Sequence, residues 1–201
     1  MNRWAVQFDS LPPGARMGTS SPRRTAQLKA LRPDIEILPI RGNVGTRLEK
    51  ARSDQYDGVV LAAAGLIRLD RQDEITEYLA PDHFTPEVGQ GALAVEARES
   101  DLETLDMLAG IDHWPTSAAV RSERAFLTAM GGGCQVPVAA YAQLDGNELH
   151  ISAMAATSDG DRVFRIQLSC DAADPESGGR RIAEALMQTG AEEIVGSGAA
   201  R

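Results

Sequence analysis

Arginines at repeated positions and one cysteine beside a glycine run are the residues here that could do chemistry. In Ser20-Ser21-Pro22-Arg23-Arg24, Ser21 is a good helix N-cap and Pro22 suits the first helical position, where its missing N–H costs nothing. Arg23 and Arg24 then fall in the first turn, where a cation opposes the helix dipole. An anion would resolve that conflict: free N–H groups, the Ser20 and Ser21 hydroxyls and two guanidinium groups together suit a carboxylate or phosphate. Taken alone, the segment also reads as a solvated arginine pair on a surface helix. Arg41 follows the apolar run Ile35–Ile40, Arg47 lies just after Asn43, and Arg68 lies beyond the apolar run Tyr56–Ala63. Cys134 comes directly after Gly131-Gly132-Gly133, a setting that favours an open, accessible thiol. Free cysteine is more often a small buried apolar side chain. Cys170 fits that second description, because Phe164, Ile166, Leu168 and Cys170 alternate along one strand face. His83, His113 and His150 are scattered without metal-ligand spacing, so no metal site is expected.

The elements that must position these residues follow a simple order. Three times in the first third an apolar strand leads through a tight turn into a helix. Met17-Gly18-Thr19 precedes a helix to Leu31, Ile35–Ile40 one to about Ser53, and Tyr56–Ala63 the stretch Gly65–Arg68. Such alternation predicts a parallel sheet with crossover helices, and ligands bind such sheets at the carboxyl ends of their strands. The three arginine-bearing turns therefore converge on one edge. Pro81–Pro86 reads as a linker, Val88–Glu96 as a glycine-started strand, and Asp101 to about Ala109 as an acid-capped helix. Beyond His113-Trp114-Pro115, a helix from about Ser117 to Met130 is followed by strands near 136–142, 148–156 and 162–170, with turns at Asp145-Gly146-Asn147 and Ser158–Asp161. A last helix runs from about Gly179 to Gln188. The fold class is thus α/β: a parallel-sheet domain, then a small α+β domain.

Composition narrows the function classes. The 201 residues are 43% hydrophobic, enough for real cores. No run approaches the length of a membrane span, and the N-terminal residues lack a signal-peptide core. Two cysteines are too few for a disulfide framework, so a reducing cytoplasm is the expected compartment. Residues 1–71 hold 12 Lys and Arg against 7 Asp and Glu, whereas the rest hold 8 against 22. A net charge of −9 argues against nucleic acid, while the basic first third suits a smaller anion. Arg outnumbers Lys 18 to 2, which favours bidentate carboxylate recognition.

Five segments, in order, resemble porphobilinogen deaminase (hydroxymethylbilane synthase): Gly18–Arg24, Arg41–Leu48, Leu61–Arg68, Val88–Ala92 and Gly132–Pro137. The resemblance covers essentially the whole chain. It implies a first part like periplasmic binding proteins over 1–85, a hinge and returning segment over 86–112, and a cysteine-bearing α+β domain over 113–201. It implies that Cys134 carries a covalent dipyrromethane cofactor. Ser21, Arg23, Arg24, Arg41, Gly42, Arg47, Gln90 and Gly91 would hold that cofactor, and Arg41, Arg47 and Arg68 would bind the carboxylates of porphobilinogen and the growing oligopyrrole. The implied reaction condenses four porphobilinogen units into hydroxymethylbilane with release of ammonia.

The family pattern also implies an earlier domain carrying the catalytic aspartate, and this sequence begins inside the pattern. No catalytic residue is therefore assigned, and the chain alone is expected to be inactive or nearly so. Ala92–Val95, which would pair with that domain, is expected to form an exposed apolar edge, so that a chain from a usually monomeric family self-associates or depends on an N-terminal partner. The competing readings are a non-catalytic carboxylate-binding module and an inactive truncated gene product.

Overall fold

The computed structural model describes residues 1–131 and 137–194. Local capping sets its helices. Ser21 Oγ accepts from the Arg24 N–H at the start of α1 (Pro22–Leu31), with Pro22 in the first turn. Asn43 caps α2 (Val44–Ala51) through the Thr46 N–H at 2.8 Å, and the short α3 (Ala63–Ile67) follows the third strand. Asp101 caps α4 (Leu102–Ala109). α5 (Trp114–Ala129) begins at Trp114, ahead of the expected Ser117, because Pro115 again fits a first-turn position.

The strands β1 (Arg16–Gly18), β2 (Glu36–Leu38) and β3 (Gly58–Val59) form a parallel sheet in the order β2-β1-β3. The chain leaves β1 towards β2 and then crosses back to β3 on its other side. That reversal opens a crevice between β1 and β3 at the carboxyl ends of the strands. Only two residues of the run 56–63 enter the ladder, since the next turn leads directly into α3.

The second sheet is antiparallel, β4 (Val138–Asp145), β5 (Glu148–Ala156) and β6 (Val163–Asp171), with the expected tight turn at Gly146-Asn147. Leu149, Ile151, Ala153 and Ala155 of β5 point into a core shared with α5 and α6 (Pro175–Leu186). Met154 and Ala156, on the opposite face, pack with Ala139 against Ala26 of α1, so the antiparallel sheet lies between the two helix sets. Cys170 packs against the main core on the strand face expected, but it is half-buried rather than a buried core residue.

Two expectations are corrected. The last helix starts at Pro175, four residues before Gly179, because Asp174 caps it through the Ser177 N–H. Gly178 and Gly179 are interior to it and allow close packing: a Cβ on Gly179 would lie 2.0 Å from the Ser122 carbonyl oxygen of α5. Residues 88–96 form no strand. Successive turns, with Gln90 N–H donating to Glu87 C=O and Ala92 N–H to Gly89 C=O, bend the chain away from extended geometry. Among the described residues no neighbouring strand offers the segment a ladder. Leu93 and Val95 are left 76% and 64% exposed, and α4 buries no residue. Among the described residues no helix is long and apolar enough to cross a membrane.

Candidate functional site

The β1–β3 crevice holds a cleft of about 310 Å³. Its walls are largely apolar, with Val60, Leu61 and Phe84 among them, and Arg23, Arg24, Gln90 and Gly91 contribute to the lining. Arg24 crosses the end of β3: its Nη1 donates to Val60 C=O at 2.8 Å and its Nη2 to Gln90 Oε1 at 3.2 Å. Burial, together with the positive Arg23 and Arg47 nearby, pulls its pKa down to about 10. Three cations thus share one neighbourhood, and the nearby Glu87 carboxylate only partly offsets them. That local excess of positive charge suits an anion.

The other expected residues divide. Ser21 spends its hydroxyl on the α1 cap, and Ser20 Oγ joins β1 to β2 by donating to Ile40 C=O and accepting from Ile40 N–H. Arg47 is half-buried and its Nε donates back to Gly42 C=O at 2.8 Å. Arg41 and Arg68 are exposed, and neither side chain makes a hydrogen bond or ion pair among the described residues. They lie outside the cleft lining, as do Ser21, Gly42 and Arg47. Cys134 lies outside the described residues; α5 ends at Ala129 before it and β4 begins at Val138 after it.

Arg23 behaves unlike its neighbour. It is 4% exposed, with Nη1 donating to Thr85 C=O and Nε to Glu87 Oε2. Beside it the fully buried Gln27 donates to Arg23 C=O and Thr85 C=O and accepts from Thr85 N–H and Arg165 Nη2. Arg165, on β6, adds bonds to Thr85 Oγ1 and His83 C=O. Sequence reasoning missed Gln27, Thr85 and Arg165. Gln27 lies on α1 between Ala26 and Leu28, which pack into separate core clusters, so no single apolar face in the sequence marks it. Tyr141 of β4, also lining the cleft, was missed as well.

The residues present suit an oligopyrrole with carboxylate side chains: an apolar-walled cleft accepts ring faces, while Arg24 and the arginines around it can meet carboxylates. Comparison with known proteins agrees. Residues 2–106 match a family model described as "Porphobilinogen deaminase, dipyromethane cofactor binding domain", and residues 117–188 match "Porphobilinogen deaminase, C-terminal domain". The chain is 52% identical over 188 residues to a porphobilinogen deaminase of Alkaliphilus metalliredigens, covering 94% of this chain and 60% of that protein. It is 52% identical over 186 residues to one from Roseiflexus castenholzii, covering 92% and 61%, and 48% identical over 189 residues to one from Geobacillus kaustophilus, covering 94% and 60%. The chain therefore spans about 60% of the length of the curated relatives it matches. With two family models matched in order along it, the chain belongs to the porphobilinogen deaminase family.

Proposed function

We propose that this chain is the oligopyrrole-holding portion of a cytoplasmic hydroxymethylbilane synthase, which condenses four porphobilinogen units into hydroxymethylbilane with loss of ammonia. The observation that carries the reading is Arg24, a cation kept half-buried beside Arg23 and Arg47 at the carboxyl end of β3. Such an arrangement costs stability in the free protein and is repaid when a carboxylate arrives.

In this reading Cys134 is the attachment point of a dipyrromethane cofactor. When bound, that group supplies the pyrrole terminus to which further units are joined. The chain's own residues bind and orient. Arg24 grips a carboxylate at the mouth of the cleft, with Gln90 fixing its guanidinium plane. Arg41, Arg47 and Arg68 neutralise further carboxylates as the product lengthens. Guanidinium serves here because it remains charged and, unlike a deprotonated lysine amine, offers no competing nucleophile.

Turnover in this reading also uses polypeptide beyond the 201 residues, and the exposed apolar side chains Leu93, Val95, Leu102, Met107 and Ile111 are where that polypeptide docks. On its own the chain self-associates through the same side chains, which sedimentation at rising concentration would show. Intact mass of the chain, produced with porphobilinogen available, tests the attachment. A dipyrromethane-sized adduct that disappears in Cys134→Ser is expected. An adduct that persists in Cys134→Ser would overturn the assignment of Cys134.

A further inference from the structure

Glu123 is a buried carboxylate to which neither the fold nor the proposed chemistry has given a role. It sits on α5, is 4% exposed, and forms no ion pair among the described residues. Its two oxygens instead take two backbone N–H groups from different parts of the molecule. Oε2 accepts from Gly89 at 2.6 Å, and Oε1 accepts from Ala142, on the edge strand β4, at 2.9 Å. Burial raises its pKa, and these two bonds oppose that shift without cancelling it. Stability alone does not favour an ionisable group at such a place.

What the carboxylate holds explains its presence. Gly89 opens the bend that carries Gln90 and Gly91, and both glycines have positive φ, +70° and +93°. The same stretch supplies the side-chain partners of the arginine pair: Glu87 accepts from Arg23 Nε, and Gln90 accepts from Arg24 Nη2. Without an anchor, a turn with two left-handed glycines samples many conformations. Glu123 fixes it to α5 and β4, the two elements that flank Cys134 in the chain.

We infer that Glu123 is a positioning residue for the anion cleft: it seats the Glu87–Gly91 turn against the C-terminal unit, so that Gln90 and Glu87 aim Arg24 and Arg23. The inference rests on the functional reading above for the identity of the anion, although not for the clamp itself. Glu123→Gln is nearly isosteric but turns an N–H₂ group towards one of the two N–H donors, breaking one bond while leaving the packing.

The test uses the 201-residue chain, wild type and Glu123→Gln, by nuclear magnetic resonance and by titration with porphobilinogen. In the variant the Gln90 side-chain amide and Arg24 Nε resonances are expected to shift, and porphobilinogen affinity per folded molecule to fall roughly tenfold. A purely structural glutamate would lower the melting temperature and leave both unchanged, and that result would overturn the inference. If Glu123→Gln does not fold, amide exchange in the wild type decides: Gly89 and Ala142 should be protected alike, and an unprotected Gly89 amide would overturn the clamp. If the wild type binds no porphobilinogen, the functional reading fails, and the Gln90 and Arg24 resonances alone decide the role of Glu123.

Discussion

Arg23 and Arg24 are neighbours in the chain, yet they belong to two regions built on opposite terms. Arg23 joins a closed polar node between α1, the 83–87 segment and β6, in which Gln27, Thr85 and Arg165 find protein partners. Arg24 opens onto the cleft, held by one carbonyl and one amide oxygen and crowded by like charge. A satisfied buried network contributes stability, while a half-buried cation crowded by like charge costs stability, which in the proposed function an arriving carboxylate restores. Residue type does not separate the two jobs; the neighbours that tertiary structure supplies do.

The node should yield the largest effect. Gln27→Leu strands the buried Thr85 N–H and takes one bond each from Thr85 C=O, which keeps Arg23 Nη1, and from Arg165 Nη2, which keeps His83 C=O, and is expected to cost about 2–3 kcal/mol in denaturant unfolding. A loss under about 1 kcal/mol would mean that the node is not a cooperative unit.

Next in size is the acid limb of stability. The Arg16 guanidinium and backbone N–H hold the Asp57 carboxyl below its usual 3.8, with Arg3 adding to the effect. A depressed carboxylate contributes stability above its unfolded-state pKa and loses it as the pH falls through the folded value. Asp57→Asn should therefore cost about 1–2 kcal/mol at neutral pH and flatten the decline of stability below pH 3.8. Melting curves from neutral to acid pH check both parts.

The smallest effects belong to the exposed arginines. Arg41→Gln and Arg68→Gln should each leave unfolding within about 0.5 kcal/mol of wild type and weaken porphobilinogen binding only about two- to threefold. Larger losses of affinity would move the centre of the site from Arg24 towards the outer rim.

Much of this plan was legible in the sequence because its signals are local. The Ser21 cap, Pro22 and the arginine pair lie within four residues, and the second sheet announced itself through alternation and a Gly-Asn turn. The node and the Glu123 clamp were not legible, because the bonds that tie their elements together span 19 to 138 positions. Gly178-Gly179 suggested a helix boundary by propensity, but tight packing against Ser122 and Cys170 overrode it. Residues 88–96 had the composition of a strand and found no strand to pair with among the described residues. The family motifs pointed to Arg23 and Arg24 together, while their separate environments became visible only in three dimensions.

The most direct test of the central claim is calorimetric titration of the chain with porphobilinogen, wild type beside Arg24→Gln, with the melting temperature of each recorded. The account predicts saturable binding to the wild type and roughly tenfold weaker binding to the variant, with no loss of thermal stability. Equal affinity in the two proteins, or no saturable binding by the wild type, would contradict it.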